Sequence, residues 1–308
     1  MQEDGFVQQS ADGRVSIPSD FFSRRGVQRL CRERELRPSK ALGQNFLFQR
    51  SVLRAMVRDL HLAPGTLVTE VGCGFGHLTV SLLEAGHRII AFETDPRLYS
   101  SVVEFSGPSL EVVHCDIRSC DLSRWLGEHA RLAVVGNLPY SSAVPILFHL
   151  LNWYPKISVG GFLLQREVGE RIRAAPKDHS YGRLSVVLQY LFLVRILRRV
   201  GPASFHPRPQ VESAWVRFLP RENADIDLAL SWIEPLAKAA FSHRRKKMSA
   251  NLSGASVGEI RLTKKQVQDC LRAVGAGDDC RAEELSPAQY ASLAQAIRQL
   301  NSDFMSNH

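Results

Sequence analysis

Long hydrophobic runs are missing from this sequence. A membrane-crossing helix needs about 20 predominantly apolar residues, yet "AVPILFHLL" stops at Asn152, and "LSVVLQYLFLV" carries Gln189 and ends at Arg195. A soluble protein with no membrane partner is therefore expected. The opening stretch "MQEDGFVQQSADGRV" has no apolar core of a secretory signal, and Glu3, Asp4, Asp12 and Asp20 are too many acids for an organelle transit segment. Cysteine is sparse and scattered: Cys31, Cys73, Cys115, Cys120, Cys270 and Cys280 form no C-x-x-C pair and have no histidine at zinc spacing. They are expected to be reduced thiols of a cytoplasmic protein, and no metal site is expected. Internal repeats and low-complexity tracts are absent as well, which excludes solenoid and linker-like architectures.

What is present is a chain of 308 residues, 44% hydrophobic, long enough for one large domain and a small one. Lys and Arg number 39 against 31 Asp and Glu, a formal net charge of +8. That balance favours a polyanionic partner, although proteins that bind none also show it. Residues 1–36 lack sustained periodicity, and "RRGVQRLCRERELR" is dense in charge. They are expected to form a basic extension, either poorly ordered and loosely docked or a short solvated helix.

From residue 66 onward, short β-rich runs alternate with helical ones. "TLVTEV" (66–71), "HRIIAFE" (87–93), "LEVVHCD" (110–116) and "RLAVVGN" (131–137) are separated by "GHLTVSLLEAG", "PRLYSSVVEF" and "LSRWLGEHA". Such alternation implies an α/β fold with a parallel sheet, helices on both faces and right-handed crossovers. Further strands are expected at "ISVGGFLLQ" (157–165) and "VESAWVRFL" (211–219). After Pro220 only helical periods remain, so the expected division is 37–220 for the sheet domain and 221–308 for a small helical domain.

Ligands of parallel sheets sit beyond the carboxyl ends of the strands, and that is where this sequence concentrates its unusual residues. Glu70-Val-Gly72-Cys-Gly74-Phe-Gly76 closes the first strand and opens a helix. Glycines there permit a tight turn and a ligand against the main chain, but a purely structural turn explains them equally well. The second strand ends at Glu93, about 20 residues on, where a carboxylate can accept ribose hydroxyls. Asp116 ends the third, positioned to accept from an adenine amino group. The loop is not G-x-G-x-x-G, has no Lys or Arg to grip a phosphate, and begins with an acid, so a nucleoside bearing a cation, S-adenosyl-L-methionine, fits better than a dinucleotide. The fourth strand delivers Asn137-Leu138-Pro139-Tyr140. An adenine amine is a poor nucleophile because its lone pair is delocalised. The Asn137 side-chain oxygen and the Leu138 carbonyl, rigidified by Pro139, can accept from that amine while the Tyr140 ring stacks on the base.

At these residues the chain resembles a known family, the ribosomal small-subunit RNA adenine N6,N6-dimethyltransferases of bacterial type, over nearly all of residues 37 to 298. The matching stretches include "KALGQNFL" (40–47), "EVGCGFGHLT" (70–79), "NLPY" (137–140), "QREVGERIRAAP" (165–176), "FHPRPQVESA" (205–214), "FSHRRKKMSANL" (241–252) and "RAEELSPAQY" (281–290). The resemblance implies a Rossmann-like class I S-adenosylmethionine-dependent methyltransferase domain followed by a small C-terminal α-helical domain. It implies dimethylation of two adjacent adenosines in the 3′-terminal hairpin loop of small-subunit (16S) ribosomal RNA, on RNA or an immature small ribosomal subunit. By motif position it places cofactor contacts on Asn45, Leu47, Gly72, Glu93, Asp116 and Asn137, and a second aromatic at the target base on Phe205. The sequence departs from the family at Cys73, at Ser141-Ser142-Ala143 and in its long N-terminal extension. Arg166, Arg171 and Arg173, and Arg244, Arg245, Lys246 and Lys247 in "HRRKK", are expected to track RNA phosphates, the alternative being a solvated helix face. Two other functions stay open: a resistance-type methyltransferase of a large-subunit RNA adenine, and an RNA-binding ribosome-assembly factor with secondary catalysis. A monomer is expected, since no heptad pattern is sustained.

Overall fold

The computed structural model describes residues 8–9, 15–39, 43–125, 131–258 and 260–306. Seven strands form the main sheet: β1 (Leu67–Val71), β2 (Arg88–Glu93), β3 (Leu110–His114), β4 (Leu132–Asn137), β5 (Ile157–Gln165), β6 (Phe192–Val200) and β7 (Ser213–Pro220). Their spatial order is β3-β2-β1-β4-β5-β7-β6. Pairing is parallel from β3 through β5, and β7 joins β5 antiparallel, so the sheet is mixed rather than wholly parallel. The Val-rich strands are apolar on both faces because helices cover both sides: Val68, Ala133, Val134, Val135 and Leu163 are all fully buried. Connections leave β1 toward β2 on one side and β4 on the other. That reversal opens a crevice at the carboxyl ends of β1 and β4.

Helices α1 (Arg24–Glu33), α2 (Arg50–Asp59), α3 (His77–Glu84), α4 (Pro96–Val103) and α5 (Ala143–Leu150) accompany the first five strands. Two of the expected helices differ. "LSRWLGEHA" forms a short 3₁₀ turn at Leu122–Trp125, and its remainder lies outside the described residues. "HRRKK" occupies the turn before a helix that begins only at Met248.

Of the two alternatives for the N-terminal extension, a helix is present, and one of its faces is buried rather than solvated. Residues 1–7 and 10–14 lie outside the described residues, but α1 is capped by Ser23, whose side chain accepts from the Gly26 N–H at 3.0 Å. Phe21, Val27, Leu30, Cys31 and Leu36 are buried. The apolar stripe docks even though charge surrounds it in sequence.

The division of the chain also departs from a single cut at 220. One compact unit runs to Arg166 and resumes at Ile196–Phe218; the other takes Glu167–Arg195 together with everything from Leu219. Within the second unit, α6 (Arg166–Arg173, from its second residue) and α7 (Arg183–Leu191) join α8 (Glu234–Ala240), α9 (Met248–Leu252), α10 (Lys264–Ala273) and α11 (Pro287–Ser306). The physical reason is long-range bonding. The Tyr181 hydroxyl donates to the Leu285 carbonyl at 2.9 Å, and the Lys177 N–H donates to the Glu283 carbonyl at 2.7 Å. Among the described residues, no helix is long and apolar enough to cross a membrane, and no group of three or more His, Cys, Asp or Glu could hold a metal.

Candidate active site

The glycine loop begins where β1 ends. The Gly72 and Cys73 N–H groups donate to the Phe92 carbonyl at 2.8 and 3.2 Å, tying the loop to β2. Gly72, Gly74 and Gly76 have φ of +71°, +59° and +83°, a region in which other side chains are strained. A Cβ on Gly72 would meet nothing within 4 Å, so the main chain is bare there. Glu93 organises the loop from the next strand. One oxygen accepts from the Gly74 N–H at 2.8 Å, and the other from the N–H groups of Thr94 and Asp95 at 2.8 and 3.0 Å. Burial nonetheless raises its pKa, with those hydrogen bonds opposing the rise.

Glu70 is fully buried beneath the loop, and burial pushes its carboxyl up to about 8, so it is largely neutral at pH 7; the Thr79 hydroxyl donates to it at 2.7 Å. His77 opens α3. Its ring stacks on Phe21 at 4.4 Å and 18°, and Nε2 lies 3.0 Å from the Phe21 carbonyl, which requires that nitrogen to carry the proton. Burial drives this histidine down to about 4. The N-terminal segment thus braces the head of the helix that follows the glycine loop, a contact with no signature in the sequence pattern.

Asp116 caps the turn Ile117–Ser119 by accepting from the Arg118 N–H at 2.9 Å, and it also holds the Arg118 guanidinium at 2.6 and 3.1 Å. The hydrogen-bonded guanidinium holds its carboxyl below the usual carboxylate range. The expected adenine acceptor is therefore shared with a cation. The same turn corrects the expectation of six reduced thiols: it folds the chain back so that Cys115 and Cys120, with Cα atoms 6.6 Å apart, are bonded as a disulfide. The remaining four cysteines are free and buried.

Asn137 is the last residue of β4. Its Nδ2 donates to the Asn45 carbonyl at 2.8 Å, which orients the amide and leaves Oδ1 as its acceptor. The Leu138 N–H donates to the Leu163 carbonyl at 3.2 Å, and the Ser142 N–H returns to the Pro139 carbonyl at 3.1 Å. Tyr140 is half-buried with its hydroxyl 2.6 Å from Ser213 Oγ. Gly43, at φ +66°, passes so close that a Cβ would stand 2.8 Å from the Tyr140 nitrogen.

A cleft of about 660 Å³ gathers Asn45, Leu47, Glu70, Gly72, Gly74, Glu93, Asp116, Asn137 and Pro139. Gly76, Leu138, Tyr140 and Phe205 are not on its walls. Gly76 instead faces inward, where a Cβ would meet the Phe105 ring at 2.6 Å. Phe205 was the second aromatic expected at the target base. It is 2% exposed and pairs with Leu47 in a two-residue antiparallel ladder, Phe205–His206 against Phe46–Leu47. Cleft residues that sequence reasoning missed include Gln44, whose amide oxygen accepts from the Ser39 N–H at 2.9 Å, and Arg118 and His77. Charge beside a strand-end acid was the only available signal for Arg118.

The expected RNA-contacting residues differ in availability. Arg166 pairs with Glu212 at 2.9 Å, Arg171 with Glu167 at 2.6 Å, Arg244 with Glu283 at 3.0 Å, and Lys247 with Asp279. Arg173, Arg245 and Lys246 are exposed and make no ion pair among the described residues.

A glycine loop without a phosphate-gripping cation, followed by acids at two successive strand ends of a sheet in this order, defines a class I S-adenosylmethionine-dependent methyltransferase. The solved structures agree on the fold. A dimethyladenosine transferase from Plasmodium falciparum matches with a TM-score of 0.67 at 23% identity over 81% of this chain and 96% of its own. The 23S rRNA methyltransferase ErmE matches at 0.59 with 24% identity, over 82% and 99%. Beyond the class, the chain belongs to the ribosomal RNA adenine dimethylase family, whose model matches residues 36–299. Among its relatives, a "Ribosomal RNA small subunit methyltransferase A" of Syntrophus aciditrophicus (strain SB) is 34% identical over 88% of this chain and 98% of its own. Another of that name, from Anaeromyxobacter dehalogenans (strain 2CP-C), is 37% identical over 85% and 94%.

That family implies S-adenosylmethionine as methyl donor, and the residues present fit it. The loop backbone is bare at Gly72, Asp116 and the buried Ile117 stand where a base would be read, and Glu70 is a buried carboxyl that a nearby cation would draw toward its charged form.

Proposed function

We propose that the protein dimethylates N6 of two adjacent adenosines in the 3′-terminal hairpin loop of small-subunit ribosomal RNA, within RNA or an immature small subunit. The observation that carries this reading is the oriented Asn137 amide, whose Nδ2 is engaged by the Asn45 carbonyl and whose Oδ1 is left to accept. When bound, S-adenosylmethionine supplies a sulfonium-borne methyl group. Gly72 and Gly74 would cradle it through the main chain, Glu93 and Asp116 would hold ribose and base, and Glu70, drawn toward its charged form, would balance its positive charge. Asn137 Oδ1 and the Leu138 carbonyl accept from the adenine amine, which localises its lone pair for attack. Tyr140, pinned through Ser213, holds the base in line. Transfer would form the N6–carbon bond as the methyl–sulfur bond breaks, with the electron pair going to sulfur to leave a neutral thioether, and the amine proton passes to solvent.

Names of relatives at 34% and 37% identity favour the small-subunit RNA over a large-subunit target; the likeness to ErmE, at 24%, speaks to fold alone. The test is methyl transfer from labelled S-adenosylmethionine to unmethylated small subunits and, in parallel, to protein-free large-subunit RNA. Asn137→Ala should lower kcat by about 10²- to 10³-fold, the usual loss when one preorganised hydrogen-bonding group is removed. Dimethyladenosine in large-subunit RNA instead would keep the chemistry and reject the substrate.

A further inference from the structure

Positive charge on α1 has no role in the reading given so far. Arg24, Arg25, Gln28 and Arg32 are exposed and fall within an arc of about 100° on the helix, given roughly 100° per residue. No acid shares that arc. The opposite face, with Val27 and Leu30, is buried. Two neighbouring arginines are already engaged: Arg29 by Asp20 at 2.8 Å and Glu33 at 3.0 Å, and Arg34 by Glu104 at 2.6 Å. Arg24, Arg25 and Arg32 make no ion pair among the described residues.

The helix stands close to the methylation chemistry. It packs against the Phe205–His206 strand. The His206 imidazole is held below its ordinary value by burial and, secondly, by the charge of Arg24, which places that guanidinium within electrostatic reach of the strand. Phe205–His206 in turn pairs with Phe46–Leu47, directly after Asn45, whose carbonyl orients the Asn137 amide. The arginine face therefore flanks the wall that carries the catalytic asparagine. It also lies before residue 36, where the match to the family model begins.

We propose that α1 is an additional RNA-contacting element of this chain, with Arg24, Arg25 and Arg32 taking phosphates of the strand that leads into the target base. This rests on the reading above that the substrate is an RNA adenine. Guanidinium groups suit the role because their forked donors match phosphate oxygens and stay charged at every working pH. Such contacts add affinity and register without reading sequence. The buried face of α1 and the Phe21–His77 stack anchor the segment.

The test uses the full chain and an unmethylated RNA fragment bearing the 3′-terminal small-subunit hairpin, with affinity measured across a salt series. R24E/R25E/R32E should bind about tenfold or more weakly at low salt. The slope of log K against log salt should become shallower by about 2, given roughly 0.7 per single-stranded phosphate contact. Affinity for S-adenosylmethionine without RNA should stay unchanged, and R24Q/R25Q/R32Q, which removes charge without reversing it, should show the same shallower slope. Unchanged affinity and slope in both variants would overturn the proposal. So would a loss seen only with ribosomal particles and never with naked RNA, since that would give the helix to a ribosomal protein. Methyl transfer is scored separately: wild type that binds this RNA but never methylates it refutes the assigned reaction, while the slope still decides the role of α1.

Discussion

Glu70 and Asn137 show how much a single side chain's surroundings decide. Glu70 sits 1% exposed beneath the glycine loop, with a carboxyl near 8 against an ordinary 4.5. A carboxyl whose folded pKa exceeds its unfolded value binds more protons in the folded state between those two pH values. Its contribution to stability is full below 4.5 and is lost as pH rises through about 8. Glu70→Gln should therefore flatten the decline in unfolding free energy over that window, measured by urea titration of the ligand-free protein at successive pH values. An unchanged pH profile would place the ionised form in a better-solvated site than the buried one seen here. At this scale the sequence was legible in where these side chains lie: Glu93 and Asn137 end their strands, and Asp116 follows its strand by two residues at the head of a turn. It was not legible where the outcome depends on the conformation of a local turn, as with Arg118 on Asp116 and the Cys115–Cys120 bond, or on burial, as with the Phe205 ring.

Helix α1 and its lead-in form the element that periodicity concealed, because the buried Val27, Leu30 and Cys31 are interleaved with six arginines between residues 24 and 37, and composition masks their helical spacing. Phe21 is 1% exposed and stacked on His77. Phe21→Ala should remove about 3–5 kcal/mol of local packing, the usual cost of truncating a buried phenylalanine. Since α1 docks at one end of the chain, that loss should appear as local opening. Limited proteolysis should cut the variant between residues 24 and 36 under conditions that leave wild type intact, and S-adenosylmethionine affinity should fall through the loosened head of α3. Equal protease resistance would remove the stack from any bracing role. The sheet strands, by contrast, were readable almost to the residue, since alternation of short β-rich runs with amphipathic stretches has few other solutions. The segment "YGRLSVVLQYLFLVRIL" was not resolved into its parts: it divides into α7 and β6 at Leu191, where one unbroken apolar run serves first a helix and then a strand.

For the molecule as a whole, the net charge of +8 favoured a polyanionic partner without indicating which cations are available to one. Ion pairing narrows the "HRRKK" turn to Arg245 and Lys246, because Arg244 is held by Glu283 and lies 5.9 Å over the Phe241 ring, and Lys247 is held by Asp279. R245E/K246E should therefore weaken RNA binding and reduce the salt slope by about 1–2, with thermal stability unchanged, as read by anisotropy and calorimetry. Arg244→Glu should instead lower stability, because it sets two acids side by side. The division between units escaped the sequence for a related reason: nothing in residues 167–195 announces that Tyr181 will bond Leu285, more than a hundred positions later. The docked extension also bears on how the enzyme's minimal length is judged. Similarity would start the catalytic body at residue 36, whereas packing starts it no later than Phe21. A gene trimmed to the similar region would yield a protein with a greasy scar over His77, prone to self-association.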